Sequence, residues 1–332
     1  MRTILSVALA AAFIIPSAAP ESWGQIVTVE KQEFYGQPNS YRLSNNTVEV
    51  FVTTDIGPRI MGYRLKNGEN ILAEMDTEAG EVTDFGKWRP YGGHRLWHAP
   101  EVVPRSYVPD SEPVEFVIKE NSIHLTQKTE AQTGIQKKML VTLASTGSEV
   151  TILHTLTNHG QWDVELAPWA LTIMRGGGTE IIPNEPYISH TEKKLPARPL
   201  VLWNYTDLSD PRLAHGPKFT RLATDSNRNN PIKLGVLNTL GWAGYALEGN
   251  LFIKRFPYVE GAVYPDMGCN FETFTTGDFM ELESLGPMVK LAPGASVTHE
   301  EKWNLVSGFT IPVKDEELSD ALKTVFDQLG LK

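Results

Sequence analysis

The sequence predicts an all-β protein, a large antiparallel β-sandwich with one short C-terminal helix. Three observations lead there. Short alternating or β-branched segments recur along nearly the whole chain. Gly, Asn, Pro and Asp stand between them, and apolar residues at helical spacing occur only near the end. A dozen or more strands punctuated in this way make a sandwich or barrel.

In chain order, Arg2 is followed by an apolar run from Ile4 to Ile15 and then by the small residues Ser17, Ala18 and Ala19, the order of a secretory signal peptide. The run is shorter than the roughly 20 residues needed to span a bilayer as a helix, so removal of residues 1–19 leaves no membrane anchor. Cleavage falls between positions 19 and 24, and the expected location is the periplasm or outside the cell. The lone Cys269 forms no internal disulfide, so residues 25–332 are expected to hold together by core burial as a single sandwich domain.

Expected strands in the first half are Thr47 to Thr53, Arg59 to Leu65, Val114 to Ile118, Ile123 to Gln127, Met139 to Leu143 and Val150 to Leu156. The second half adds Leu166 to Met174, Leu200 to Tyr205, Ile232 to Asn238, Leu251 to Arg255, Phe279 to Ser284 and Val297 to Leu305. Gly176 to Gly178 reads as a turn between strands, and Leu208 to Pro231 as a long surface loop. After Asp315, the spacing of Leu318, Leu322, Val325, Phe326 and Leu329 predicts one amphipathic helix packed on a sheet.

Thirty Lys and Arg against forty Asp and Glu give a formal net charge of −10. A nucleic-acid binder concentrates cations to displace counterions from phosphate, so the charge argues against that class and equally disfavours docking on anionic lipid. There is no phosphate-cradling Gly-rich loop running into a helix and no helical zinc motif, so neither an organic cofactor nor a metal is implied.

The densest polar segment is Tyr91 to Glu101, which holds His94, Arg95, Trp97, His98 and Glu101. His94 and His98 are four apart, a spacing that shares one face of a strand or of a helix. A metal reading of the pair lacks a third ligand, and the plainer alternative is that they bond to loop backbone. Glu281 and Glu283 project to one side of a second strand, with Glu272 in the neighbouring segment. Paired carboxyls that are partly buried push one pKa up and suit proton transfer, whereas a solvated outer face is the bland reading. His159 follows Asn158 at a strand end as a catalytic or a turn residue. Trp88, Trp97, Trp169, Trp203 and Trp242 are stacking platforms for sugar or else core.

The order of these parts resembles the galactose-mutarotase-like family, a β-sandwich used by sugar epimerases and sugar-binding domains. The resemblance is carried by Asp55-Ile56-Gly57-Pro58-Arg59, by Leu156-Thr157-Asn158-His159, and by Glu281-Leu282-Glu283 with Leu291-Ala292-Pro293-Gly294. Gly92 to Glu101, taken with Glu281 to Pro287, is similar to an uncharacterised secreted bacterial branch of it. The resemblance implies a supersandwich fold and a sugar or glycan ligand. It implies Glu283 as the catalytic carboxylate with Glu281 its rival; for an epimerase the acid would then be another histidine, His94 first and His159 second. Arg59, Arg95, Trp97, His98, Glu101, Trp169 and Glu272 would be the substrate contacts. One departure stands out: Pro168-Trp169 occupies the place of a family histidine. The expected activity is therefore epimerase-like ring opening by a Glu/His pair, with non-catalytic recognition as the alternative and a polysaccharide lyase or hydrolase as a third reading.

Overall fold

The computed structural model describes residues 27–76 and 78–331, so the leader expected at residues 1–19 lies outside the described residues. Two large antiparallel sheets face one another. In spatial order the first, here the site sheet, runs Thr28–Lys31, Ser40–Ser44, Val48–Thr53, Arg59–Leu65, His94–Ala99, Val164–Arg175, Phe279–Leu285, Phe271–Thr275, Ile232–Val236 and Leu200–Leu202, with Val289–Leu291 also paired to Val164–Arg175. The back sheet runs Leu213–His215, Phe219–Ala223, Thr179–Pro183, Trp242–Leu247, Asn250–Arg255, Ser296–Ser307, Val150–Asn158, Ile135–Leu143, Ser122–Thr126 and Glu115–Lys119.

Alternation makes this arrangement stable. In Ile135–Leu143 every second residue is buried, so Ile135, Met139, Val141 and Leu143 turn inward while their neighbours meet solvent. Val50, Leu282, Phe252, Tyr245 and Trp303 from both sheets meet in one core, all at 0% exposure. At about 25 cal/mol per Å² of apolar surface removed from water, burial of such side chains contributes about 1.5–3 kcal/mol each.

The central strands of the site sheet do not alternate. All six residues of His94–Ala99 are buried, because its outer face is roofed by loops as well as its inner face by the back sheet. Gly176 and Gly177 carry the chain from Val164–Arg175 in one sheet to Thr179–Pro183 in the other, as the expected turn.

Two local expectations are corrected, and one hairpin went unread. The segment from Leu208 to Pro231, read as a loop, contains the strands Leu213–His215 and Phe219–Ala223, which pair with each other; the second also pairs with Thr179–Pro183. Their Pro and Asn neighbours hide short strands that only ladder pairing defines. The strand predicted to reach Tyr205 stops at Leu202, which leaves Trp203 and Tyr205 free to leave the ladder. Hairpin Glu81–Thr83 with Gly86–Trp88, a separate two-stranded unit, had no signal strong enough to read.

The terminal helix spans Asp315–Leu329 and packs Leu318, Leu322 and Val325 against Phe219, Ile253 and Phe309. Its first residue is a clasp: the Asp315 carboxylate accepts hydrogen bonds from the backbone N–H groups of Lys218 and Phe219 and pairs with Arg221 at 3.0 Å. The helix stops at Gly330, whose φ of +67° is left-handed.

The entry to His94–Ala99 is set by Gly93. Its φ is +69°, and a Cβ there would lie 2.2 Å from the carbonyl oxygen of Ile60. Its own N–H and C=O are bonded to Ala73 and Ile173, so the backbone cannot back away. Gly93→Ala is expected to lower stability by at least about 1–3 kcal/mol, read from the urea midpoint at unchanged m.

Candidate functional site

Strand register places one set of side chains on the outer face of the site sheet. Arg59 faces Arg95, Arg95 faces Leu171, Leu171 faces Glu283, and Glu283 faces Glu272, so these five form one row across the strands. The rows on either side are Trp97, Trp169 and Leu285, and Ile173, Glu281, Phe274 and Lys233. Above them lies a cleft of about 560 Å³. Trp88, Trp97, Trp169, Trp203, Tyr107, Tyr205, Phe274 and Phe279 supply its aromatic lining, and Arg95, Lys233, Glu81, Glu101 and Glu281 its charge.

Lys233 is the electrostatic pivot. Its ammonium lies 3.1 Å from Glu283 Oε2 and 3.0 Å from Glu272 Oε2, and over the rings of Trp169 and Trp203 at 4.8 and 4.9 Å from their centroids. Burial by itself lowers an ammonium pKa, yet Glu283, Glu272, Glu281 and Glu101 together hold this one well above its usual value. Glu283 is fully buried, and its Oε2 also accepts 2.7 Å from Trp169 Nε1. Burial, opposed by Lys233, drives Glu272 well above the carboxylate range.

Glu281 is different. It is partly exposed on the cleft wall between Ile173 and Phe274, and no hydrogen-bond or ion-pair partner holds it among the described residues. Burial, reinforced by Glu283 and opposed by Lys233 and Arg95, pushes its carboxyl up to about 8. At neutral pH it is therefore mostly a protonated acid facing the cleft.

On the inner face of the same strands a second polar group is closed upon itself. Lys254 Nζ lies 2.8 Å from Glu301 Oε1 and donates to Ala170 O at 3.0 Å, Leu282 O at 2.8 Å and Thr172 Oγ1 at 2.9 Å. Thr172 in turn donates to His94 Nδ1, 2.9 Å away. That leaves the proton of His94 on Nε2, which donates 2.8 Å to His154 Nε2, while His154 Nδ1–H donates 2.9 Å to His299 O. Trp303 Nε1 donates to Glu301 at 2.8 Å. Burial puts His94 and His154 below the usual histidine value and His299 at about 3, so all three are neutral. His94, His154 and Glu301 bring ligand atoms within 4.8 Å of one another. The ring lone pairs are nonetheless taken by Thr172 and His94, and Lys254 stands where a cation beside Glu301 would sit. The donor set is complete without a metal.

No protein-family model matches the chain, and no curated protein matches it by sequence. Solved structures do. A galactose mutarotase-like protein from Lactobacillus casei aligns over 80% of this chain and 100% of its own, with a TM-score of 0.51 and 11% identity. A galactose mutarotase-like protein from Clostridium acetobutylicum aligns over 85% and 99%, at 0.50 and 10%. The chain has the galactose-mutarotase-like fold. A TPR-domain containing protein from Parabacteroides distasonis also aligns, over 83% of this chain, at a TM-score of 0.55 and 13% identity; the chain spans 49% of that protein's length.

Within this mutarotase-like fold the residues singled out by sequence divide into four groups. Arg95, Trp97, Glu101, Trp169 and Glu281 line the cleft, with Glu283 and Glu272 beneath Lys233. His94 and His98 do not join them. Even and odd positions of a strand face opposite ways, so these two turn into the core while Arg95 and Trp97 face out. His98 is buried with neither ring nitrogen bonded, and burial takes it to about 3, with Lys137 and Arg105 adding to the fall. His159 is exposed in the turn after Val150–Asn158 in the back sheet, its N–H bonded to Gly134 O, so it is remote from the site sheet's outer face. Arg59, expected as a substrate contact, is wholly buried. It donates to Pro90 O at 3.0 Å, Gly92 O at 2.7 Å and Asp110 at 2.7 Å, which fastens the loop ahead of His94–Ala99.

Lys233 was missed, although a lysine inside the otherwise apolar run Ile232-Lys233-Leu234 is a readable signal of a buried partner. Tyr107, Tyr205 and Phe274 had no such signal.

Proposed function

We propose that the protein binds a carbohydrate in the outer-face cleft and that Glu281 is its proton-transfer group. The observation that carries this is an unpartnered carboxyl, raised to about 8, on the wall of a cleft whose lining is largely aromatic. Aromatic rings take the C–H faces of sugars, and a protonated carboxylic acid can deliver a proton to a sugar oxygen at neutral pH.

Epimerase-like ring opening then follows in one step. Glu281 gives its proton to the ring oxygen as the bond from that oxygen to the anomeric carbon breaks. The anomeric hydroxyl becomes the carbonyl, and its proton passes to Glu101, which is exposed on the cleft and accepts a hydrogen bond from Tyr107. Closure on the other face of the carbonyl reverses the transfers and yields the other anomer. Glu283 is a positioning residue that anchors Lys233, rather than the base suggested by the resemblance.

Recognition without turnover is the second reading. It is favoured by the engagement of Glu283 with Lys233 and Trp169, and by the lack of any histidine among the described residues lining the cleft. Saturation-transfer NMR against aldoses, uronic acids and short glycans, with anomeric exchange followed in the same tubes, separates the two. Binding with accelerated exchange is expected. Binding without it leaves recognition alone, and no binding removes both.

A further inference from the structure

The charges around the cleft do not balance at Arg95. Its guanidinium carbon lies over the rings of Trp88 and Trp97, 5.0 and 4.7 Å from their centroids, and the residue is only 2% exposed. Nε and Nη2 are buried without a hydrogen-bond partner. Among the described residues the one carboxylate within 4 Å is Asp110, at 3.6 Å, and Arg59 already holds Asp110 at 2.7 Å. Two guanidinium groups thus share a single carboxylate, and one positive charge is left against rings that carry none. Lys233, the other cation on the cleft, is not in this position, because it has two carboxylates at 3.0 and 3.1 Å. Burial, opposed by Asp110, lowers Arg95 only to about 10, so it is a cation at neutral pH.

Arg95 also stands near the acid. It is two strands from Glu281 and one same-face position along, which places their Cα atoms about 12 Å apart, and both side chains line the cleft. Beyond the effects of burial, each acts on the charge of the other. In a hexuronic acid the carboxylate is borne by C5, the carbon bonded to the ring oxygen. A ligand whose ring oxygen meets Glu281 therefore holds its carboxylate close to that acid, within reach of an arginine whose planar fork matches carboxylate geometry.

We infer that the cleft takes a hexuronic acid with a free anomeric hydroxyl, its carboxylate paired with Arg95. This rests on the proposal that the cleft binds carbohydrate and adds the class of sugar to it. A neutral aldose leaves the cation unmatched. A phosphate brings a second negative charge for which no free cation remains, and Glu81 and Glu101 on the same cleft oppose it.

The inference is tested by calorimetric titration of the full-length protein with the D-gluco, D-galacto and D-manno sugars, each as the aldose, the uronate, the uronate methyl ester and the 6-phosphate. For the configuration that binds, the uronate is expected to bind at least tenfold tighter than both the aldose and the methyl ester, which keeps the size and loses the charge. Arg95→Gln is expected to close the gap between uronate and ester to less than twofold, and Arg95→Lys to restore part of it. Arg95 is buried, so the fold of each variant is checked by its urea midpoint, and the wild-type comparison stands without them. A wild-type gap under tenfold, a 6-phosphate tighter than the uronate, or a folded Arg95→Gln that keeps the gap overturns the inference and leaves carbohydrate binding intact. No binding by any of the sugars overturns both.

Discussion

Lys254→Met is expected to lower unfolding stability by about 3–5 kcal/mol, the largest loss from any single substitution considered, as measured by urea denaturation at pH 7. The reason is the completeness of the network between the sheets. Removing the ammonium leaves Glu301 buried with its main counter-charge gone, and takes a donor from Ala170 O, Leu282 O and Thr172 Oγ1 at once. Pairing with Lys254, against the opposing effect of burial, holds the Glu301 carboxyl well below the usual range in the folded protein. A carboxyl depressed by folding contributes stability above its unfolded pKa of about 4.3 and loses it as pH falls toward the folded value. The gap between wild type and Lys254→Met is therefore expected to be widest near pH 7 and to narrow as pH drops below about 4. The double variant Lys254→Met, Glu301→Gln is expected to recover part of the loss, because no unpaired charge remains. Equal losses in single and double variants would mean that Lys254 contributes by packing alone.

The second expected result concerns Glu281. Glu281→Gln keeps the shape of the side chain and removes its proton, so anomeric exchange is expected to fall by about 10²–10⁴-fold while sugar affinity changes less than threefold. In the wild type the acid must be protonated to act. Its pKa near 8 predicts a rate that is level across neutral pH and falls with increasing pH above about 8. In Glu281→Gln the residual rate is expected to lack that alkaline limb. A fall in affinity as large as the fall in rate would instead make Glu281 a ligand for a hydroxyl, and an unchanged rate would remove it from the chemistry. Stability carries the same signature with its own sign. A carboxyl raised by folding favours the folded state below its unfolded pKa, and that contribution is lost as pH rises through about 8.

Much of the architecture was open to reading because it depends on patterns a few residues long. The alternation in Met139 to Leu143, the strand Arg59–Leu65 and the three- and four-residue spacing in Asp315–Leu329 are local properties, and each lies within an element that formed, the first extending back to Ile135. Some of the strands that escaped notice, such as Leu213–His215 and Phe219–Ala223, are defined by a neighbour rather than by their own composition.

The site divides along the same line. By itself the sequence determined the β-sandwich class, and it concentrated histidine, arginine, tryptophan and carboxylate in the segments that became the central strands. Only the tertiary structure decided which of those side chains share a space. His94 and Arg95 are neighbours in the chain, yet a period of two sends one into a closed network with Lys254 and the other toward the cleft. Glu281 and Glu283 share a face, yet the arrival of Lys233 from a strand two places away in the sheet ties down Glu283 and leaves Glu281 without a partner. Which carboxyl is free is a property of long-range packing, because the charge that settles it lies about fifty positions away in the chain, 3.1 Å from Glu283.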